Sequence, residues 1–236
     1  MNEFNQYSQD YFEGKGSLGW HRAGGYSKLK EATQHIFFHI LNYCTSDDIR
    51  SFVVHGEDKN AIDVGCAYGY VLELLFSMGY NCYGTDYSEF AISKARTILP
   101  ESVNLKVSDV QETAPSELFG VKFNLVVLME VIEHLNRPES VFENIYRSLI
   151  PGGWFVLTTP NLFLSRLRRD IWGDTIFDEP DHINLKPSWE WRTLIRKLPW
   201  SNVILITEDP LFDRFRSRKI LKRTPLGSSV IIWAKK

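Results

Sequence analysis

Three aspartates follow one another at the ends of short apolar runs: Asp63, Asp86 and Asp109. A glycine-bounded turn, Gly65 to Gly69, comes directly after the first of them. Asp86 lies 21 residues beyond Gly65 (86 − 65), a spacing at which a second parallel strand ends beside the first. Because parallel strands end at one edge of a sheet, these residues predict a site for a nucleotide-type cofactor at that edge.

The charges around the turn indicate the class of cofactor. A dinucleotide fingerprint reads G-x-G-x-x-G and brings the backbone close to a pyrophosphate, whereas this turn reads Gly65-Cys-Ala-Tyr-Gly69. Asp63 precedes the turn, and no arginine or lysine stands beside it. A carboxylate there repels a pyrophosphate and attracts an ammonium or sulfonium group. The residues therefore favour S-adenosylmethionine over NAD.

Each part of this edge has a predicted role. The N–H groups of the turn can bind the cofactor's carboxylate at a helix N-terminus, although a turn that needs glycine only for its dihedrals is the alternative. Asp86 can accept hydrogen bonds from both ribose hydroxyls, its alternative being a solvated aspartate at a strand end. The Asp109 carboxylate and the Val110 N–H can meet the edge of an adenine.

The candidate catalytic residues follow the fourth apolar run and a later loop. Glu130, Glu133 and His134 lie in Met129-Glu-Val-Ile-Glu-His-Leu135, and His182 lies in the later loop. A neutral imidazole is a suitable general base near pH 7, so His134 and His182 are predicted as catalytic. A histidine packed in a loop is the alternative for each of them.

Apolar runs alternate with helical patterns between residues 60 and 158, which predicts a doubly wound, mostly parallel α/β sheet. Residues 26–41 show the spacing of an amphipathic helix, and residues 1–25 are predicted to be irregular. We expect an N-terminal extension over residues 1–50 that covers the cofactor site, and a catalytic domain over 51–236. Strands are predicted at 61–64, 81–85, 105–107, 123–129, 154–158, 203–207 and 229–234.

The composition is that of an ordinary globular protein. Of 236 residues, 44% are hydrophobic and 24% are charged, and the net charge of −2 gives no general attraction to nucleic acid or membrane. Three scattered cysteines without C-x-x-C spacing fit a reducing compartment and predict no metal site. The polar N-terminus lacks the regions of a signal peptide, and no apolar run approaches the ~20 residues of a membrane span. We therefore expect a cytoplasmic protein.

The ordered motifs resemble those of class I S-adenosylmethionine-dependent methyltransferases, in particular a small-molecule branch with a Glu-x-x-Glu-His segment after strand four. They are residues 63–69, Asp86, Asp109, 129–135, 149–154 and 158–161. The resemblance implies a seven-stranded sheet with an antiparallel final strand. Ala67 stands where the family often has glycine, which is compatible with the motif if its dihedrals are ordinary. The resemblance and the spacing together give these cofactor residues: Asp63, Gly65, Cys66, Ala67, Gly69, Asp86, Tyr87, Asp109, Val110 and Glu130.

The sequence thus predicts methyl transfer from S-adenosylmethionine to a hydroxyl or amine of a small metabolite. Basic clusters at 166–169 and 214–223 suggest a phosphorylated, sugar or nucleotide-linked acceptor, as do Trp172, Trp189 and Trp191, which could stack on a sugar ring. A solvated loop is the alternative for the clusters, and a nucleic-acid partner is disfavoured. An NAD-dependent oxidoreductase and a non-catalytic cofactor-binding protein remain alternatives. The N-terminal aromatic residues are predicted to close over the site as a lid: Tyr7, Tyr11, Phe12, Trp20 and Tyr26.

Overall fold

A single seven-stranded sheet organises the chain. The computed structural model describes residues 7–15, 24–43, 45–163, 181–208 and 227–236. The strand order is β3-β2-β1-β4-β5-β7-β6, and β7 runs antiparallel to both of its neighbours. The predicted α/β sheet with an antiparallel final strand is therefore confirmed. The strands are β1 Asn60–Val64, β2 Asn81–Asp86, β3 Asn104–Val107, β4 Phe123–Met129, β5 Leu149–Pro160, β6 Asn202–Glu208 and β7 Ser229–Lys235.

Helices cover both faces of this sheet. Short 3-10 helices at Tyr26–Leu29 and Ile132–His134 complete the regular structure of the described residues. The α-helices are α1 Gln9–Glu13, α2 Lys30–Tyr43, α3 Asp47–Val54, α4 Tyr70–Ser77, α5 Glu89–Ile98, α6 Pro115–Phe119, α7 Pro138–Ser148 and α8 Ser188–Ile195.

The strands are apolar on both sides because the sheet is buried on both sides. In β1, Ala61 packs into the cluster that contains Phe37 of α2, whereas Ile62 and Val64 pack into the cluster that contains Trp191 of α8. Side chains of a strand alternate between its faces, so an almost uninterrupted apolar run supplies two cores at once. This double core fixes where each strand ends, and with it the edge that carries the site.

Some elements differ from the predictions. The structure adds α3 and α6, which have no counterpart among the predicted helices, and α1 within a segment predicted to be irregular. Ser46 caps α3 by accepting a hydrogen bond from the Ile49 N–H at 3.5 Å, a local signal that a short helix leaves in sequence. Strand β5 begins at Leu149 rather than Trp154 because its register against β4 shifts there, with Phe123 opposite Leu149 and Leu125 opposite Trp154.

In the part of the chain that the structure describes, no helix has both the length and the apolar character needed to cross a bilayer.

Candidate active site

The turn between β1 and α4 is tied to the end of β2. The N–H groups of Gly65 and Cys66 both donate to the Thr85 carbonyl, at 2.7 and 3.0 Å. The next N–H, that of Ala67, donates to Asp86 Oδ2 at 2.8 Å. Two of the predicted cofactor segments are thus joined directly by hydrogen bonds.

Both glycines that bound this turn are required by its geometry. Gly65 has φ of 75° and Gly69 has φ of 82°, the left-handed region that glycine adopts without strain. A Cβ on Gly65 would lie 2.4 Å from Val131 Cγ2, and one on Gly69 would lie 2.5 Å from Leu99 Cδ1. The need for glycine is therefore explained by backbone conformation and packing, so the glycines alone do not identify a ligand.

Ala67 departs from the expectation of ordinary dihedrals. Its φ is 46°, in the left-handed region that costs a residue with a Cβ about 1–2 kcal/mol. The family's usual glycine would adopt this conformation freely. The Asp86 carboxylate that accepts from the Ala67 N–H helps to hold the alanine there.

Asp86 is the last residue of β2, and backbone N–H groups bind both oxygens of its carboxylate. Its Oδ1 accepts from the Ser88 N–H at 2.8 Å while Oδ2 accepts from Ala67. A carboxylate offers about four lone-pair directions, so its backbone donors leave Asp86 with capacity to accept from a ligand. Burial raises the pKa of Asp86, and the backbone donors Ser88, Ala67 and Tyr87 counteract part of that rise.

Asp63 and Cys66 lie deeper in the same edge. Asp63 is 4% exposed, and its pKa is raised well above the usual range by burial and by the neighbouring Asp86. The Cys66 thiol is also buried, and burial together with Asp86 and Asp63 raises its pKa. Cys66 is therefore a neutral wall residue rather than a nucleophile.

Asp109 and Val110 lie past the end of β3. Asp109 Oδ1 accepts from the backbone N–H of Gln111 at 2.8 Å, so the carboxylate also stabilises its own turn. Val110 is 6% exposed, and its carbonyl accepts from Asn144 Nδ2 of α7 at 2.8 Å. The third strand end is thus rigidly held.

The remaining predicted cofactor residues flank this edge. Tyr87 follows Asp86, and its ring meets the Tyr7 ring edge-on at 6.4 Å between centroids. Glu130 follows β4 with φ of 53°, and its N–H donates to the Thr158 carbonyl at 3.0 Å. A left-handed residue with a Cβ at a strand end is uncommon and is typical of functional sites.

The two predicted catalytic histidines meet. The rings of His134 and His182 lie 4.9 Å apart between centroids, although they come from different loops. Glu133 joins them, so that one ligating atom from each of the three residues lies within 4.8 Å of the others. Glu133 is 1% exposed, and its Oε2 accepts from the Thr159 hydroxyl at 3.0 Å.

Asp181 orients this cluster. His134 Nδ1 lies 3.1 Å from the Asp181 carbonyl oxygen, which can only accept, so Nδ1 carries the proton and Nε2 has the free lone pair. Asp181 Oδ2 lies 3.4 Å from the same nitrogen. Burial lowers the pKa of His134, and burial together with Glu130 raises that of Glu133 well above its usual range.

The N-terminal segment reaches the same cluster. The Tyr11 hydroxyl donates to Asp181 Oδ2 at 3.1 Å, and the Tyr7 ring meets the His134 ring edge-on at 6.2 Å. Tyr11 and Phe12 also pack with the residues of the first turn, Ala67 among them. Asp181 had no predicted role, and its one local signal in the sequence is its place directly before His182.

One predicted acceptor residue, Trp191, is not part of this site. Trp191 is fully buried in the core, so it cannot stack on a ligand, whereas Trp189 is half exposed. The basic clusters, Trp20 and Trp172 lie outside the described residues.

Comparison with known proteins identifies the class. A family model described as a methyltransferase domain matches residues 37–203, and the chain belongs to this family. The prediction of a class I S-adenosylmethionine-dependent methyltransferase is confirmed, and with it the cofactor. The NAD-dependent alternative finds no support. The branch with the Glu-x-x-Glu-His segment stays a prediction.

The relatives match over part of their length. The chain is 34% identical over 106 residues to a protein named ubiquinone biosynthesis O-methyltransferase from Thiobacillus denitrificans, which covers 44% of this chain and 45% of that one. A protein of the same name from Hydrogenovibrio crunogenus is 26% identical over 164 residues, with 68% and 60% covered. The chain spans about half the length of the curated relatives it matches.

A solved structure supports the fold. An S-adenosylmethionine-dependent methyltransferase from Archaeoglobus fulgidus has a TM-score of 0.58 and 19% identity, covering 86% of this chain and 99% of that one. At this identity the similarity concerns the fold alone.

Proposed function

We propose that the chain transfers a methyl group from S-adenosylmethionine to a hydroxyl of a small molecule. The observation that carries this proposal is the Glu133–His134–His182 cluster, in which Glu133 and His134 follow β4 at the predicted cofactor edge. A hydroxyl loses a proton during methylation, whereas an amine attacks without a strong base. A cluster that can accept or displace that proton therefore favours an oxygen acceptor.

The carboxyl groups at this edge of the sheet fit the cofactor. Asp63 and Asp86 form no ion pair with a lysine or arginine among the described residues, which suits a ligand that carries positive charge. Asp86 keeps acceptor capacity beyond its backbone donors, which suits a ribose hydroxyl. When bound, S-adenosylmethionine supplies a methyl group already activated by a sulfonium centre.

The chain's own residues have the following proposed roles. Asp86 binds the ribose, the N–H groups of the Gly65–Gly69 turn face the carboxylate, and Asp109 with Val110 faces the adenine. His134, made neutral by burial and oriented through Nδ1 by Asp181, presents Nε2 to the acceptor. Tyr7 and Tyr11 cover the junction between the two halves and exclude water.

The acceptor class is corrected from the sequence-based suggestion. The relatives are named as O-methyltransferases of ubiquinone biosynthesis, which supports a hydroxyl acceptor and argues against a sugar, nucleotide-linked sugar or glycan precursor. Burial of Trp191 removes one of the aromatic side chains invoked for sugar stacking. The Tyr7 ring meets His134, and the rings of Tyr11 and Tyr87 pack against Tyr7. These aromatic rings favour a planar, phenolic acceptor.

Calorimetry and turnover test this function in two steps. Titration with S-adenosylmethionine and S-adenosylhomocysteine is expected to show one binding site, and NADH is expected to show none. Turnover is then followed by mass spectrometry with a panel of phenols, matched amines and sugars, with catechol-type phenols expected to react best. A folded protein that binds neither adenosyl compound contradicts the proposal, and binding without turnover on any acceptor favours the non-catalytic alternative.

A further inference from the structure

The Glu133–His134–His182 cluster has the composition of a metal site. A Glu133 oxygen and one ring nitrogen from each histidine all lie within 4.8 Å of one another. Glu133 and His134 belong to the short helix after β4, whereas His182 comes from a distant loop. Three metal-ligating groups therefore converge from two segments that are far apart in sequence.

Neighbouring groups orient two of the three side chains. The Thr159 hydroxyl donates to Glu133 Oε2 at 3.0 Å, which fixes the carboxylate. His134 Nδ1 donates to the Asp181 carbonyl at 3.1 Å, which leaves Nε2 as the ring nitrogen with a lone pair for a metal. Histidines that bind metals usually donate their other ring N–H to a carbonyl or carboxylate in this way, and carboxylate ligands are likewise hydrogen-bonded.

The surroundings hold buried carboxyl groups that have no basic partner among the described residues. Asp181 is 4% exposed, and its Oδ1 has no hydrogen-bond partner among the described residues. Within that same part of the chain, no lysine or arginine forms an ion pair with Asp181, Glu130 or Glu133. Buried carboxylates without a cation are costly, and a bound cation would remove that cost.

We propose that Glu133, His134 and His182 bind a divalent transition-metal ion whose open positions take the acceptor hydroxyl. Two imidazoles and one carboxylate suit zinc, manganese, iron or cobalt better than magnesium or calcium. Three protein ligands leave positions for water or substrate, the pattern of a catalytic site. The proposal that an ion binds depends only on the geometry of the cluster. The proposed role of the ion in catalysis rests on the O-methyl transfer proposed above.

The ion changes what the histidines do. Coordination stabilises the acceptor oxygen without its proton, which passes to water. A lone pair of that oxygen forms the new bond to the methyl carbon, and the pair of the breaking carbon–sulfur bond stays on sulfur, which becomes a neutral thioether. One proton is released for each methyl group transferred. His134 and His182 then act as ligands, and neither is the general base.

The spacing of residues in the sequence does not reveal this site. The expectation of no metal site rested on cysteine spacing, whereas the ligands here are a carboxylate and two imidazoles brought together by the fold.

Metal binding is tested directly on the full chain, freed of metal with a chelator. Calorimetric titration with Mn²⁺ and visible spectroscopy with Co²⁺ are expected to show one equivalent bound. His182→Gln removes a ligand and is expected to weaken binding by at least about 100-fold, and Asp181→Asn, which keeps the carbonyl acceptor but replaces the carboxyl group 3.4 Å from His134 Nδ1, by about 10-fold. His35→Gln removes an exposed histidine from α2 and is expected to leave the affinity unchanged.

The outcomes separate this inference from the proposed function. If neither ion binds, or if His182→Gln and a folded Glu133→Gln bind as the parent does, the metal site is refuted. Full-rate methyl transfer in the presence of excess chelator refutes the role of the ion and leaves the methyltransferase standing. Metal binding by a chain that fails to bind S-adenosylhomocysteine supports the site and removes the proposed function.

Discussion

Asp86 Oδ2 accepts a hydrogen bond from the Ala67 N–H at 2.8 Å, which ties the end of β2 to the turn after β1. The contact joins the two segments that the sequence assigned to the cofactor. It also explains why an alanine can occupy a left-handed conformation there, since the carboxylate stabilises the peptide in that orientation. The residue proposed to bind ribose therefore also shapes the turn proposed to hold the rest of the cofactor.

Asp86→Asn is expected to weaken binding of S-adenosylhomocysteine by roughly 10- to 100-fold. An asparagine keeps the shape but loses the charge, and a hydrogen bond to a charged group contributes about 1.5–3 kcal/mol. Calorimetry measures the affinity, and circular dichroism checks that the variant is folded. Glu101→Gln changes an exposed acid by the same chemistry and is expected to bind as the parent does. Unchanged affinity in Asp86→Asn would falsify the ribose assignment.

Ala67→Gly is expected to leave the free energy of unfolding within about 0.5 kcal/mol of the parent. Relief of the left-handed strain, about 1–2 kcal/mol, offsets the greater freedom of glycine in the unfolded chain and the loss of a buried methyl group. Urea unfolding measures the difference. Ala32→Gly on the exposed face of α2 has no strain to relieve and is expected to lose about 1 kcal/mol. Equal losses in both variants contradict the strain at Ala67.

The sheet and its functional edge could be predicted because their signals are local. Strand β4 is found at Phe123–Met129 as predicted, since a strand buried on both faces leaves an unbroken apolar run. Ser88 caps α5 by accepting from the Ala91 N–H at 3.2 Å, and a serine directly before a helical pattern is a local signal of a helix start. In both cases a few consecutive residues contain all the information.

The acceptor side could not be predicted because its signals are distant in sequence. The Tyr11–Asp181 hydrogen bond joins residues 170 positions apart, and no local sequence pattern predicts it. Trp191 was expected near a ligand but faces the core, whereas Trp189, two positions earlier on α8, is half exposed. Residues two apart on a helix point to different sides, and only packing decides which side is buried.

Gly65→Ala is expected to destabilise the fold and weaken S-adenosylhomocysteine binding, because the new Cβ would lie 2.4 Å from Val131 Cγ2. Val131→Ala removes the methyl group that it meets and is expected to restore part of the loss. A double-mutant cycle by urea unfolding should give a coupling free energy of about 1 kcal/mol. The destabilisation that remains in the double variant measures the cost of the positive φ for an alanine at position 65. Strict additivity of the two changes would show that the clash is relieved by other movements.

Asp63→Asn is expected to raise stability at high pH while it lowers cofactor affinity. The pKa of Asp63 is raised by burial and by Asp86, so the native state keeps a proton that the unfolded chain releases. This group therefore makes the free energy of unfolding fall as pH rises from about 4, the ordinary aspartate value, through the raised native pKa. Above that window the variant should be more stable than the parent by on the order of 1 kcal/mol or more.

Urea unfolding between pH 4 and 9 checks this dependence. The parent and Asp63→Asn are expected to converge near pH 4 and to separate as pH rises. Asp58→Asn replaces an exposed aspartate and is expected to follow the parent throughout. A difference that shrinks with rising pH contradicts the assigned sign.

Tyr11→Phe is expected to lower kcat about 10-fold while the affinity for S-adenosylhomocysteine stays the same. The phenol hydroxyl donates to Asp181 Oδ2 at 3.1 Å, and its loss leaves a buried carboxylate with one donor fewer beside His134. A hydrogen bond to a charged group at the lower end of its range corresponds to this factor. Tyr68→Phe is the matched control, since the Tyr68 ring packs in the same aromatic cluster but its hydroxyl has no hydrogen-bond partner among the described residues. Equal effects of the two variants on kcat would assign Tyr11 to packing alone.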